Sequence, residues 1–174
     1  MEALHAWHEF YILLGTAGAT LLALLFVAVS LGTGYLSNKD QRGPRTFMSP
    51  VVIHFTSVFF ISALCLVPSH GPIFFAVLIG ATALIGIAVS IVITVWVVRT
   101  EMTNFLQDYL AYGLLPVGAY AALLIASIMI YVGQQYALEV LAGGLLLLAV
   151  VNIRNAWDLT LSMVRRHAGE RSRS

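Results

Sequence analysis

Positive charges in this chain are confined to alternate connections between five long apolar stretches. Of the nine Lys and Arg, none precedes the first stretch, lies between the second and third, or lies between the fourth and fifth. Eight lie in the other two connections and in the C-terminal tail. Because basic residues near membrane ends are retained on the cytoplasmic side, this alternation predicts a polytopic membrane protein. We expect its N-terminus outside and its C-terminus in the cytoplasm.

The composition argues against a water-soluble fold. Of the 174 residues, 60% are hydrophobic and only 10% are charged, which is too little polar surface to cover a globule in water. We therefore expect an all-α fold with a single transmembrane helical domain over residues 1–174, in a cell membrane and most simply a bacterial inner membrane. The net charge of +1 conceals an asymmetry between the two faces, so it does not indicate nucleic-acid binding, and we expect membrane lipids around the chain.

The lengths of the apolar stretches predict five membrane-spanning helices. A helix needs roughly 20 residues, at 1.5 Å per residue, to cross a hydrocarbon core of about 30 Å. Ser49 and Pro50 are typical of a first helical turn and predict the start of the second span, and Pro116 predicts a kink in the fourth. No Lys or Arg precedes the first stretch, so we expect it to be a retained span and not a cleaved signal. The predicted spans are 10–35, 49–67, 72–98, 109–131 and 136–164.

Polar residues near the cytoplasmic end of the fifth span form a candidate inner vestibule. Arg154 and Asp158 are four residues apart, so they share one helical face. Asn152, Asn155 and His54 are expected at a similar height, which gives a hypothesis that His54 and Asp158 belong to one polar cluster. Two interpretations stay open: Arg154 extends to the interface beside Asp158 while the asparagines bond neighbouring helices, or the group binds an anion or polar solute.

The middle of the predicted bilayer carries no ionisable group other than tyrosine. Residues typical of the span midpoints are Thr20, Ser57, Gly86, Tyr120 and Leu147. Ion-coupled secondary transporters place their sites near the midplane, usually with ionisable groups. The absence of such groups weighs against that class.

Small residues recur on one face of the third span, where Thr82, Gly86, Ser90 and Thr94 follow one another at intervals of four. Such a stripe lines a narrow path for a solute, together with Tyr120, or it allows two helices to approach closely. Further small-residue faces on the first and fifth spans predict a homo-oligomer. Those faces consist of Gly15, Ala19 and Ala23, and of Gly143 and Gly144.

The outer face carries a second candidate site, because imidazole and carboxylate ligands suit zinc or copper. Its members are His5, His8, Glu9, His70 and Glu139. The alternative is that these residues, with Trp7 and Tyr11, are ordinary anchors at the level of the lipid headgroups. On the inner side, Lys39, Arg42 and Arg45 are candidates for contact with lipid headgroups.

Three functions remain in order of preference. The chain contains no HExxH, no GxSxG and no glycine-rich phosphate loop, so we expect neither an enzyme nor a resident cofactor. The first function is a homo-oligomeric channel or pore for small ions or solutes, with apolar constrictions that gate by dewetting. The second is a non-catalytic scaffold or accessory subunit that docks a larger membrane partner. The third is a metal-binding or lipid-binding membrane protein.

Overall fold

The computed structural model describes residues 6–33, 42–67, 71–99 and 110–171. Within these ranges the regular structure is entirely helical, which confirms the predicted all-α fold. A π-helical turn, Leu110–Leu114, leads directly into the fourth helix. The helices are α1 (His8–Thr33), α2 (Arg42–Leu66), α3 (Pro72–Arg99), α4 (Leu115–Tyr131) and α5 (Ala137–Arg171).

Four segments of the described residues are long and apolar enough to cross a membrane. A shorter apolar segment, Pro50–Leu66, forms most of α2. The chain is therefore a multi-pass membrane protein, as predicted. The four segments are His8–Ala28, Pro72–Val95, Tyr112–Tyr131 and Ala137–Leu161.

The predicted start of the second helix is wrong. The helix begins at Arg42, so Pro50 lies inside α2 and not in its first turn. The residue in the first turn is Pro44, where a missing backbone N–H breaks no helical bond. The sequence held two prolines that fit a helix start, and the prediction used the second. At Pro116, the other predicted irregularity, the backbone forms the π-helical turn immediately before the proline.

The helices pack in two groups that meet along α2 and α5. α4 packs along both α3 and α5, α1 packs along α2, and the contact between α2 and α5 joins the groups. A tight turn with Gly133 at φ 73° connects α4 to α5. Its backbone N–H donates to the Ile130 carbonyl at 3.2 Å, and the N–H of Gln134 donates to the Met129 carbonyl at 2.9 Å. These two bonds cap α4 and turn α5 back antiparallel along it.

Close approach between α4 and α5 depends on Gly144. A Cβ at this position would lie 2.9 Å from Cδ2 of Leu123 and 3.3 Å from the carbonyl oxygen of Ala119. At the neighbouring Gly143, a Cβ would meet no heavy atom of the described residues within 4 Å. The two adjacent glycines therefore differ in their surroundings: Gly144 faces the bundle and Gly143 faces outward.

This pair gives a test of the helix packing. We expect Gly144→Ala to lower stability by about 1–3 kcal/mol, because the added methyl group overpacks the contact with α4. Gly143→Ala should instead leave stability unchanged or raise it by up to about 1 kcal/mol, because alanine favours the helix. Unfolding of the purified protein, at a detergent concentration that keeps the chain monomeric, measures both effects. Equal effects of the two substitutions would contradict the orientation of α5.

Candidate functional site

Three helices meet at the side chain of Tyr120 in α4. Its ring lies against the backbone of Gly86 in α3, and it has no exposed surface. Its hydroxyl oxygen is 3.0 Å from Nδ1 of His54 and 3.0 Å from Oγ of Ser57, both in α2. We call His54, Ser57 and Tyr120 the Tyr120 network. Through this network, a side chain of α4 passes the backbone of α3 and hydrogen-bonds two side chains of α2.

Two features of the sequence permit this contact. Gly86 has no side chain, and a Cβ there would overlap the Tyr120 ring. His54 and Ser57 are three residues apart, so α2 presents both to the same neighbour. Three residues that the sequence placed at span midpoints, Ser57, Gly86 and Tyr120, thus lie together.

The Tyr120 network can satisfy its own hydrogen bonds. The hydroxyl of Ser57 donates to the Ile53 carbonyl at 2.9 Å, and the hydroxyl of Tyr120 donates to Oγ of Ser57. The tautomer of His54 with its proton on Nδ1 then donates to the Tyr120 oxygen. All the donated hydrogen bonds thus run one way, from His54 through the two hydroxyls to the backbone carbonyl. A fully bonded chain of this kind suits an apolar interior, because an unpaired polar group there is costly.

The residues of the predicted inner vestibule fall into two groups, one buried in the bundle and one exposed on its surface. Asn152 is fully buried, and its Nδ2 donates to the Val51 carbonyl at 2.9 Å, which ties α5 to α2. The hydroxyl of Tyr112 donates to the backbone carbonyl of the buried Asn155 at 3.4 Å. The bond of the Asn152 side chain favours the interpretation in which an asparagine bonds a neighbouring helix, whereas the bond at Asn155 engages its backbone.

The ion pair on α5 faces the surface instead. Nε of Arg154 lies 3.9 Å from Oδ2 of Asp158, and the two side chains are 45% and 40% exposed. His54, which the sequence grouped with Asp158, is only 2% exposed and bonds Tyr120. The bonds of His54 in the structure therefore lie within the Tyr120 network.

The small-residue stripe on α3 packs mainly against α4. The hydroxyls of Thr82, Ser90 and Thr94 donate to carbonyls four residues earlier, at 2.8, 2.8 and 2.7 Å. Gly86 supports the Tyr120 ring, and a Cβ at Gly113 would lie 2.7 Å from Oγ1 of Thr94. Both glycines thus mark close contact between helices, which is the packing interpretation of the stripe. Its assignment as a pore lining stays a prediction.

A shallow groove opens between α2 and α3 beside the Tyr120 network. Its volume is about 220 Å³, which is below the roughly 300–1,000 Å³ typical of ligand pockets. The sequence pattern assigned neither Thr56 nor Ser57 to a site, although Ser57 shares a helical face with His54. The groove is lined by Ile53, Thr56, Ser57, Phe60 and Thr82.

The described members of the outer His/Glu site are all exposed: His8, Glu9 and Glu139. His5 and His70 lie outside the described residues. Within the described part of the chain, no group of three or more His, Cys, Asp or Glu is placed to hold a metal ion. Zinc or copper binding at this face therefore stays a prediction.

The remaining predicted contacts with headgroups fall in different places. Lys39 lies outside the described residues, and Arg42 and Arg45 belong to the first turns of α2. Tyr11 was a candidate anchor at headgroup level, but its side chain is fully buried. It packs beside Phe10, with ring centroids 5.2 Å apart. Tyr11 is therefore part of the core of the bundle.

Removing the Tyr120 hydroxyl tests the Tyr120 network. We expect Tyr120→Phe to lower stability by about 1–3 kcal/mol, because His54 and Ser57 lose a buried partner while the ring still covers Gly86. Tyr131→Phe is the matched control, since Tyr131 is 65% exposed at the end of the same helix. Unfolding of both variants in lipid–detergent micelles measures the difference. Equal stability of the two variants would show that the hydroxyl bonds contribute nothing.

Comparisons with known proteins identify no relative of this chain. No family model, no curated protein and no solved structure matches the chain.

Proposed function

We propose that this chain is a non-catalytic scaffold or accessory subunit of a membrane complex. The observation that carries the proposal is that the buried side chains of Tyr120 and Asn152 hydrogen-bond other helices of the same chain. Tyr120 joins three helices, and Asn152 joins α5 to α2. Polar groups used in this way fix the relative positions of the helices, as a protein that docks a partner requires.

The apolar interior supports the same proposal. Large side chains with no exposed surface fill the bundle around Tyr120, so a water-filled path through that level of a single protomer would have to displace them. The outward surface, in contrast, presents many large apolar side chains to lipid or to a partner helix. The buried side chains include Phe55, Ile61, Ile79, Leu123, Leu141, Leu145 and Leu148.

A homo-oligomeric channel is the second candidate, and one observation favours it. Glu139 in the first turn of α5 and Arg154, about 22 Å further along the helix, are both exposed. In a ring of subunits with α5 at the axis, these side chains would form charged rings at the two mouths of a pore. Rings of charge of this kind select ions in channels.

Solute flux separates the two candidates. For purified protein in liposomes, a scaffold predicts no flux of small cations, anions or neutral solutes above that of empty liposomes. An Arg154→Gln, Asp158→Asn double variant should behave identically, because its charges line no path. Helix content and thermal unfolding, measured on the same preparations, confirm that both proteins are folded.

Flux that the double variant alters would overturn the scaffold and establish a pore with its inner mouth at Arg154. The scaffold also predicts a larger assembly in native membranes than in the purified state. Native electrophoresis of gently solubilised membranes measures this difference. Migration of the chain at the size of its purified form under all solubilisation conditions would contradict a role as an accessory subunit.

A further inference from the structure

We propose that a second copy of this chain docks on the outward side of α5 in a parallel, two-fold symmetric dimer. The α5 outer face consists of Gly143, Leu147, Val150, Arg154 and Trp157. The dimer goes beyond the proposed function, because an accessory subunit can act as a monomer or as a dimer. It rests on the exposure, charge and depth of this face.

The α5 outer face forms one continuous stripe. Its members follow at intervals of three or four residues, which places them on one side of the helix. Val150 and Trp157 are each 63% exposed, whereas Leu141, Leu145 and Leu148 on the other side have no exposed surface. None of the five residues of the stripe is buried.

The ion pair makes this stripe different from an ordinary lipid-facing surface. Arg154 and Asp158 lie within the apolar span Ala137–Leu161, and both are nearly half exposed. Charged side chains that face lipid inside a span are unfavourable, by up to about 3 kcal/mol at the helix centre. The separation of 3.9 Å between Nε and Oδ2 is longer than the roughly 2.7–2.9 Å of a charge-assisted hydrogen bond. The intrachain contact therefore leaves the carboxylate able to accept bonds from another guanidinium.

A second copy supplies the complementary charges at the required depth. In a parallel dimer with its axis along the membrane normal, each residue lies at the same depth as its counterpart. Arg154 and Asp158 differ by one helical turn, about 6 Å along the axis, which the long arginine side chain can span. Arg154 of each copy then reaches the partner's Asp158, so two ion pairs form across the axis.

The N-terminal end of the α5 outer face permits the helices to approach. A Cβ at Gly143, or at Gly118 in α4, would meet no heavy atom of the described residues within 4 Å. Gly144 in α5 and Ala119 in α4 lie in the contact between these two antiparallel helices. Gly143 and Gly118 each come one residue earlier in their helix, so both face the same side of the helix pair. Small residues at such a surface let the helices of two subunits pack closely. Glu139 lies at the outer end of the same helix, in its first turn, where water and salt screen repulsion between the copies.

Charge reversal tests the proposed dimer. Arg154→Asp makes the pair all acidic and Asp158→Arg makes it all basic, so each variant alone should dimerise at least about tenfold more weakly in lipid. Coexpression of the two variants with different tags should restore a heterodimer, because each then faces the opposite charge. The swap of both residues in one chain, Arg154→Asp with Asp158→Arg, should restore the homodimer.

A crosslinking experiment does not depend on the insertion of altered charges. Val150→Cys lies on the α5 outer face, and Val27→Cys on α1 is the matched control, since Val27 is 55% exposed. Cys65 is the only native cysteine and is buried, so it adds little background. Oxidation in native membranes should give a disulfide dimer at position 150 and none at position 27.

Mass measurement in lipid nanodiscs should give two copies of the chain. A monomer, a ring of more than two copies, or crosslinking at position 27 but not 150 would overturn the dimer. No preference of the two charge variants for each other, when both are folded, would overturn it as well. The flux measurement addresses the scaffold and the crosslink addresses the dimer, so failure of one is distinguishable from failure of the other.

Discussion

The arrangement of the helices depends on the contact of the Tyr120 ring with the backbone of Gly86. In lipid, the hydrophobic effect does not drive one apolar helix against another, so packing and hydrogen bonds decide which helices associate. Gly86 allows the ring to pass close to α3, and the hydroxyl then reaches His54 and Ser57 in α2. One side chain thus fixes the relative positions of three helices, two of which are not neighbours in the chain.

The use of polar groups inside the bundle has a consequence for function. Asn152 bonds the backbone of α2, and the hydroxyls of the α3 stripe bond the backbone of their own helix. The exposed ion pair of Arg154 and Asp158 lies instead on the outer surface of α5. Groups that hold the fold lie inside, and this charged pair lies outside. This division favours an assembly role over transport through a single protomer.

Hydropathy alone predicts the all-α membrane fold, because each crossing needs a long apolar run. The start of α2 was misassigned because Pro44 and Pro50 both fit a first turn. The shared face of His54 and Ser57 follows from their spacing, but their contact with Tyr120 does not. Apolar residues occupy nearly every face of these helices, so periodicity does not indicate which face meets which helix. The packing of Gly86 was one of two interpretations of its stripe, and only the three-dimensional structure shows the ring against it.

Solid-state NMR of the protein in lipid bilayers tests the central contact most directly. With ¹⁵N-labelled histidine and ¹³C-labelled tyrosine, the account predicts through-space transfer between His54 Nδ1 and the phenol carbon of Tyr120. Tyr120→Phe, prepared with the same labels, identifies the signal by its loss. Contact of the His54 ring with water or lipid alone, and no transfer to Tyr120, would contradict the account.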